Sequence, residues 1–208
     1  AYYESCDALL AISKQTENIN KLVLGEKAKD KIIKYVPHGI NENIFRPLTD
    51  EEKQSETYKS VKKRIFGDKE YEFVALFNSR NIRRKNPGDV ILAWRYFTEQ
   101  LPKEQAQKCA LVMHTQAVDQ NGTDLNAVKE LLCDPEYCNV ILDENRFSSE
   151  EMNCMYNLID VNVLISSNEG WGLSLTEAMM AGKMIIANTT GGMQDQMRFV
   201  DNNGKWIE

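Results

Sequence analysis

The chain has 208 residues, of which 42% are hydrophobic and 27% are charged, proportions that are ordinary for a globular domain. They exclude a disordered, collagen-like or disulfide-scaffold protein. With 25 basic and 31 acidic side chains the net charge is −6, which disfavours non-specific nucleic-acid binding because phosphate neutralisation needs a basic face.

Short apolar runs of strand length alternate with helical patterns along the chain. The predicted strands are residues 8–12, 32–36, 73–77, 110–113, 140–142, 161–165 and 184–187. The predicted helices are residues 89–99, 124–132, 149–158 and 173–181. Continuous apolar runs are typical of parallel strands that are covered on both faces. The alternation therefore predicts an α/β fold with a Rossmann-like, doubly wound parallel sheet.

Residues at the helix ends support these assignments. Ser148 with Glu151 three positions later predicts a capping box, Asp124 predicts an N-cap, and Gly182 predicts a helix stop. The segment 119–124 bears a faint likeness to a calcium loop, but its glycine is misplaced and the closing glutamate is missing. We interpret it as a turn followed by the N-cap.

A boundary is predicted near residues 37–48, where two prolines and a glycine interrupt the pattern. The charged segment 50–68 that follows is predicted to be a solvated helix. Residues 1–36 hold too few elements for an independent domain. The predicted parts are therefore residues 1–36, a linker with the charged helix at 37–71, and a Rossmann-like domain at 72–208.

The cysteines and the N-terminus indicate the compartment. The five cysteines contain no C-x-x-C pair, so we expect reduced thiols in a cytoplasmic protein and give zinc little weight. Cys109 opens an apolar run and is expected to be buried and inert. No run approaches the ~18 apolar residues of a membrane span, and the N-terminus does not resemble a signal peptide. Since the chain lacks an initiator Met, we expect it to be a piece of a longer protein.

The strongest chemical pattern is the segment 166–182, which follows a predicted strand and opens a predicted helix. Gly170 and Gly172 allow a backbone to approach a ligand closely, and the first amides of a helix suit an anion such as phosphate. Glu169 and Glu177 flank this turn and could accept hydrogen bonds from sugar or ribose hydroxyls. The balancing cations would follow the strand 73–77, at Arg80, Arg83, Arg84 and Lys85. Taken singly, a glycine pair is common and a basic cluster is usually a solvated loop.

The stretch from Glu169 to Glu177 resembles the E-x7-E signature of retaining glycosyltransferases of family 4, which have the GT-B fold of two Rossmann-like domains facing a cleft. Three further segments resemble the family's pattern in the same order. They are the interdomain segment 36–47, the Arg80 and Lys85 pair, and the Gly-rich turn 187–192. The resemblance implies that the chain is the GT-B nucleotide-sugar-binding half with a remnant of the N-terminal acceptor domain.

The resemblance also implies a role for each matched residue. Arg80 and Lys85 would be catalytic, since they would bind the diphosphate and stabilise it as the leaving group. Glu169, also catalytic, would hydrogen-bond to hydroxyls of the donor sugar. Glu177 would contact the nucleotide ribose, and the loop after the strand 140–142 would lie at the nucleobase. The full set of implied donor-binding residues is Gly170, Trp171, Gly172, Leu173, Ser174, Glu177, Arg146 and Phe147.

The activity that the resemblance implies is a retaining, hexosyltransferase-type transfer from a nucleotide-diphosphate sugar. The donor would be UDP- or GDP-linked, and the acceptor a glycan, a lipid or a protein. No cofactor and no metal are expected, because two cations and helix-terminal amides can stabilise the departing phosphate. Many relatives act at the inner membrane face, which leaves open a peripheral membrane contact through regions outside this chain.

Two alternatives remain open from the sequence. The chain could be a nucleotide-binding fragment without activity of its own, or part of a GT-B enzyme of another reaction type, such as a nucleotide-sugar epimerase. Ser79 and Asn86 stand where the family usually has glycine, and His38 stands where Asn is common, which leaves the donor's identity open. His114, at the end of a predicted strand, is interpreted as structural.

Overall fold

The structure is a computed structural model that describes residues 2–197, 199–203 and 205–207. The chain divides into two compact units. The larger unit comprises Ile40–Ser167 and Ser174–Ala187. The smaller unit comprises the described residues of Ala1–Gly39, Asn168–Leu173 and Asn188–Glu208. The predicted limits of the three sequence-defined parts stay a prediction.

The secondary structure follows the predicted alternation. The strands are β1 (Ala8–Ala11), β2 (Ile32–Tyr35), β3 (Phe73–Asn78), β4 (Cys109–His114), β5 (Val140–Asp143), β6 (Val161–Leu164), β7 (Met184–Ala187), β8 (Phe199–Val200) and β9 (Trp206–Ile207). The α-helices are α1 (Tyr2–Ser5), α2 (Lys14–Leu24), α3 (Glu56–Phe66), α4 (Pro87–Thr98), α5 (Lys103–Ala106), α6 (Leu125–Leu132), α7 (Ser149–Leu158), α8 (Leu173–Met180) and α9 (Met193–Met197). Three 3-10 helices are Gly25–Asp30, Glu52–Gln54 and Arg83–Lys85.

The larger unit is built on a five-stranded parallel sheet in the order β5-β4-β3-β6-β7. This confirms the predicted α/β fold with a parallel sheet between helices. The chain extends the sheet in one direction through β4 and β5, and then returns to add β6 and β7 on the other side of β3. The strand order therefore reverses between β3 and β6, and α/β sheets bind ligands at the carboxyl ends of the strands beside such a reversal.

The helix-end predictions are confirmed. Ser148 and Glu151 form the capping box of α7, and the Asp124 carboxylate accepts hydrogen bonds from the first amides of α6. Gly182 follows α8 with φ +74°, a conformation that glycine adopts at little cost. Gly122 N donates to Asp119 O at 2.9 Å, as expected for a turn before the N-cap.

The charged segment after the linker differs from its prediction. We expected a solvated helix, but α3 buries Val61, Ile65 and Phe66 and packs against α7. These three residues recur at helical spacing, so they lie on one face while the charged residues occupy the others. The predicted helix is confirmed, but its predicted solvation was wrong, because the many charged residues drew attention from the apolar face.

The smaller unit contains β1 and β2, which pair in parallel and are joined through α2. Ser13 caps α2, and its hydroxyl accepts a hydrogen bond from Thr16 N at 3.1 Å. The short elements α1, α9, β8 and β9 were not predicted, since they are shorter than the window in which periodicity can be read. Over the described residues, no helix combines the length and the apolar character that crossing a membrane would need.

Candidate functional site

Three polar residues lie side by side at the carboxyl edge of the large sheet. Asn78 ends β3 and pairs in register with His114 at the end of β4, which in turn pairs with Asp143 at the end of β5. The preceding residues of β3, β4 and β5 are apolar, so these three polar residues lie where the strands end at the border of the hydrophobic core. This edge is also where the loops after β3 and β6 begin.

The loops after β3 and β6 are hydrogen-bonded to each other. Ser167 N donates to Arg84 O at 2.8 Å, and Asn86 Nδ2 donates to Ile165 O at 2.9 Å. Asn86 adopts φ +51°, a left-handed conformation that Asn tolerates better than most residues. The two loops that flank the reversal of strand order therefore form one connected backbone surface.

Arg80 lies in the loop after β3 and forms an ion pair with Asp119. Its Nε lies 2.8 Å from Asp119 Oδ2, and this hydrogen bond raises the pKa of the guanidinium and lowers that of the carboxyl. The Arg80 side chain is 59% exposed, so the guanidinium is oriented by one partner while much of it faces solvent. Asn81 fixes the loop that carries Asp119, since its buried amide donates to the carbonyls of Gln116 and Thr123.

Lys85 differs from the neighbouring cations in its burial. Lys85 is only 9% exposed, whereas Arg83 and Arg84 are exposed. Lysine is rarely this buried unless its ammonium is paired. Burial therefore indicates that Lys85 is packed into the structure of the loop. Arg83 and Arg84 instead face solvent, as expected for a solvated basic loop.

Glu177 lies on α8 at the end of a hydrogen-bond chain. Asn78 Nδ2 donates to Tyr156 Oη at 2.8 Å, and Tyr156 Oη donates to Glu177 Oε2 at 2.6 Å. Burial raises the pKa of Glu177, and the hydrogen bond from Tyr156 offsets part of that rise. Through the Tyr156 hydroxyl, the Glu177 carboxylate is thus linked to the Asn78 side chain that ends β3.

The loop with Arg146 and Phe147 begins at the carboxyl end of β5. The Phe147 ring contacts the His114 ring, with centroids 5.4 Å apart, and the guanidinium of Arg64, whose Cζ is 4.3 Å from the Phe147 centroid. Arg64 Nη2 also donates to Arg146 O at 3.0 Å, while Arg146 itself is exposed. Phe147 is half-buried whereas Arg146 is exposed, so Arg146 is the more accessible of the two.

The carboxylate of Asp143 anchors this corner of the sheet. Its Oδ2 lies 2.6 Å from His114 Nδ1. Burial alone would raise the pKa of Asp143, but hydrogen bonds from His114 and Asn145 outweigh it and leave the pKa below its usual value. Asp143 therefore stays ionised and holds His114 in place, as expected for a structural histidine.

The other predicted residues, Glu169 to Leu173, belong to the smaller unit. Glu169 and Trp171 are 6% and 8% exposed. Gly192 N donates to Glu169 O at 3.1 Å, and the Gln196 amide donates to Trp171 O. A Cβ on Gly191 would lie 1.8 Å from Glu169 O, so the close packing of this loop requires glycine there.

The turn into α8 matches its prediction. Gly172 has φ +92°, and α8 begins at Leu173. Asn162 on β6 donates through Nδ2 to Ser174 O at 3.1 Å, which fixes the first turn of the helix over the sheet. The first amides of α8 therefore follow a glycine turn, the arrangement that suits an anion.

Four residues of this neighbourhood were not predicted: Asn78, Tyr156, Asp119 and Arg64. Asp119 lies in the segment 119–124, which was interpreted as a turn, and none of the pairings could be predicted because each residue lies 21 to 87 positions from its partner along the chain. Only the register of the sheet and the packing of α3 and α7 bring them to the site. Among the residues that the structure describes, no group of three or more His, Cys, Asp or Glu could hold a metal ion.

The family model that matches this chain is described as glycosyl transferases group 1, and the match spans residues 58–207. No curated protein matches the chain significantly. The match covers all five strands of the large sheet and every predicted site residue.

Solved structures show the same fold. Anabaena Alr3699/HepE in complex with UDP-glucose superposes with a TM-score of 0.65 at 15% identity, over 93% of this chain and 48% of that one. An alpha,alpha-trehalose-phosphate synthase from Burkholderia vietnamiensis gives 0.70 at 7% identity, over 93% and 47%. The C-terminal domain of a group 1 family protein, LpcC from Francisella tularensis, gives 0.57 at 20% identity, over 82% and 80%. The chain thus spans about half the length of the first two structures and most of the third.

Proposed function

Because the chain belongs to the glycosyl transferases group 1 family, we propose that it is the donor-binding part of a retaining, metal-independent glycosyltransferase of family 4. The donor is a nucleotide-diphosphate sugar, and the sugar transferred is a hexose. The Anabaena structure of the same fold contains UDP-glucose, which supports a nucleotide sugar as the ligand class. A UDP- and a GDP-linked donor are both compatible with the residues discussed.

The observation that carries this proposal is the connected surface at the reversal of strand order. The loops after β3 and β6 are joined by Ser167–Arg84 and Asn86–Ile165 hydrogen bonds, and the first of these loops carries Arg80 and the buried Lys85. Ligands of α/β sheets bind at this position. A diphosphate needs such preorganised cations where its negative charge develops.

We assign the residue roles on this basis. Arg80 and Lys85 stabilise the diphosphate as it leaves the anomeric carbon, and the amides that open α8 at Gly172, Leu173 and Ser174 bind phosphate or sugar oxygens. Glu169 accepts hydrogen bonds from hydroxyls of the donor sugar, with Gly170 and Trp171 beside it in the loop. These groups supply the electrostatic stabilisation that metal ions provide in other transferases, so the reaction proceeds without one.

The nucleoside end of the donor is bound by Glu177, Arg146 and Phe147. The Glu177 carboxylate, already oriented by Tyr156, accepts a hydrogen bond from a ribose hydroxyl. Arg146 is exposed and borders the nucleobase. Phe147 stabilises the loop through its contacts with His114 and Arg64. Base choice is therefore expected to depend on the Arg146 side chain more than on the Phe147 ring.

A second candidate function is nucleotide binding without activity of the chain on its own. It is favoured by the share of the relatives that the chain spans, 48% of the Anabaena protein. The acceptor and any membrane contact would then depend on the remainder of a longer protein, in the cytoplasm. The donor-binding proposal is the same in both cases.

The experiment is a thermal-shift panel of the chain with UDP, GDP, ADP and their common sugar conjugates, with and without EDTA. A ligand at about a hundred times its dissociation constant adds ~2.7 kcal/mol to the free energy of unfolding. We expect one nucleotide diphosphate to stabilise the chain equally in both conditions. Loss of the shift in EDTA would overturn metal independence, and no shift with any compound would overturn donor binding by this chain.

A further inference from the structure

Two cysteines that the proposed function does not use lie in contact at the opposite edge of the large sheet. Cys133 follows α6 and Cys138 precedes β5, so both are at the amino ends of the strands, away from the loops with Arg80 and Lys85. Both are free thiols, and the Cys138 thiol donates a hydrogen bond to Cys133 Sγ across 2.7 Å. The side chains are therefore already turned toward each other.

The backbone between the two cysteines holds this arrangement. Tyr137 N and Cys138 N both donate to Asp134 O, at 3.0 and 2.8 Å, and Glu136 N donates to the Asp134 carboxylate at 2.9 Å. The segment is thus a closed turn that begins directly after Cys133 and ends at Cys138. A disulfide requires two sulfurs that can approach closely, and this turn holds the two Sγ atoms 2.7 Å apart.

The two thiols differ in reactivity. The hydrogen bond from Cys138 is the main cause that lowers the pKa of Cys133, with Lys129 adding a smaller effect in the same direction. The position of Cys133 at the end of α6 opposes this, because a helix C-terminus disfavours an anion. Donation of that hydrogen bond and burial raise the pKa of Cys138. Cys133 is also less buried than Cys138, so access and the direction of the pKa shift together favour Cys133 as the nucleophile of the pair and Cys138 as the second thiol.

A reagent can reach Cys133 from a cavity of about 700 Å³ that both thiols line. Lys69 and Lys129 also line it and give it two positive charges beside Glu130. Cys133 is half-buried and Cys138 is 4% exposed. A small anionic thiol reagent in the cavity therefore reaches Cys133 more easily than the more deeply buried Cys138.

We propose that Cys133 and Cys138 form a modification site, at which low-molecular-weight disulfides of the glutathione type convert the dithiol reversibly into an intramolecular disulfide. The Cys133 thiolate attacks one sulfur of the reagent, forms a mixed disulfide and releases one thiolate, which takes up a proton. The Cys138 thiolate, after losing its proton to solvent, then attacks Cys133 Sγ and expels the second reagent thiol. One dithiol and one reagent disulfide give one protein disulfide and two thiols.

Two of the three remaining thiols provide internal controls. Cys109 and Cys154 are buried, and burial is the first cause that raises the pKa of each. Raised pKa and poor access slow attack on a disulfide. Cys133 is expected to react at least about tenfold faster than either of them.

The test incubates the reduced chain with oxidised glutathione, blocks the remaining thiols with iodoacetamide and maps the peptides without reduction. The wild-type chain should yield a peptide pair linked through Cys133 and Cys138, and dithiothreitol should restore both thiols. Cys138→Ser should accumulate glutathione on Cys133, since the second thiol is missing. Cys133→Ser should leave Cys138 reduced over the same time.

The proposal is overturned if the wild-type chain keeps glutathione on Cys133 or leaves both thiols reduced. It is overturned equally if Cys138 reacts in Cys133→Ser as fast as the pair does in the wild type. The wild-type map decides the matter even if a serine variant misfolds, which circular dichroism would reveal. None of these outcomes depends on nucleotide binding, so the inference and the proposed function can fail separately.

Discussion

At the residue scale, burial separates Lys85 from the basic loop around it. Lys85→Ala should weaken binding of the nucleoside diphosphate tenfold to a hundredfold, because loss of one charge-assisted contact costs ~1.5–3 kcal/mol. Lys62→Ala is the matched control, since Lys62 lies on α3 in an exposed ion pair with Glu70. Isothermal titration calorimetry measures both affinities.

The Lys85 assignment fails if Lys85→Ala binds the nucleotide with wild-type affinity while Lys62→Ala does too. A urea unfolding curve must accompany the titration, because a buried lysine can also contribute to stability. Equal unfolding midpoints with unequal affinities would assign the effect to the ligand.

The raised pKa of Glu177 gives a second prediction, on stability. A carboxyl whose pKa is higher in the folded state favours folding below its unfolded pKa of about 4.5, and this contribution is lost as pH rises through the folded value. Glu177→Gln keeps an oxygen for Tyr156 and removes the buried charge. The variant should be more stable than wild type at neutral pH, and this difference should shrink as pH falls toward 4.5.

Urea unfolding between neutral and acid pH measures the Glu177→Gln effect, with Glu70→Gln as the exposed control. The same variant should bind the nucleotide more weakly, since a neutral amide is a poorer acceptor for a ribose hydroxyl. A variant that is less stable than wild type at neutral pH would show that the charge is satisfied where it lies.

The residues of the site were predictable only where a motif carries them. Lys85 and Glu177 were predicted because they stand at spacings that the sequence displays, and their roles stay a prediction. In the sequence, Tyr156 looks like one more apolar position of α7. The partners of its hydroxyl, Asn78 and Glu177, come from β3 and α8, so the sequence does not indicate them. Asp119 was read as part of a turn, since nothing in the sequence indicates that Arg80 bends back to it.

At the scale of elements, two glycines with similar φ angles allow a controlled test of the loop around Glu169. Gly25 and Gly191 have φ +55° and +52°, and alanine at either position costs ~1–3 kcal/mol of backbone strain. A Cβ on Gly25 meets open space, whereas one on Gly191 would lie 1.8 Å from Glu169 O. Gly191→Ala should therefore lose more stability and also weaken nucleotide-sugar binding.

Thermal unfolding and calorimetry with the donor nucleotide that the panel identifies compare the two glycine variants. Gly25→Ala should lower the melting temperature and leave the affinity unchanged. If Gly191→Ala changes neither quantity beyond Gly25→Ala, the Glu169 loop can move aside, and the close packing at Gly191 has no bearing on the ligand.

Elements were predicted best where two independent signals coincide. The helix α7 was located because a capping box precedes a helical apolar stripe, and β7 because turn residues bound a continuous apolar run. The predicted solvation of the segment 50–68 was wrong because its charge was given more weight than the spacing of Val61 and Ile65. Elements of two to five residues, such as β8 and α9, are too short to show a hydrophobic periodicity or a pair of boundary residues.

At the scale of the whole molecule, the sequence indicated the fold because apolar runs alternate with helical patterns and because the family segments follow one another in the family's order. It could not give the strand order, which depends on where β6 pairs. That pairing, with Ala75 opposite Val161, joins residues far apart in the chain. The β3–β6 pairing places the loop of Arg80 and Lys85 beside the loop after β6. Local sequence patterns do not indicate this pairing.

The last prediction concerns what the chain does alone. It spans 48% of the Anabaena structure with UDP-glucose, and the assigned residues all serve the donor, so no acceptor is positioned by them. We expect the chain to bind the donor nucleotide and yet release no nucleoside diphosphate from its sugar conjugate, even with glycan or lipid acceptors added. A coupled assay for released nucleoside diphosphate, run beside calorimetry on the same sample, tests both halves. Turnover by the chain alone would mean that it also positions an acceptor, because transfer requires both substrates in reach of the anomeric carbon.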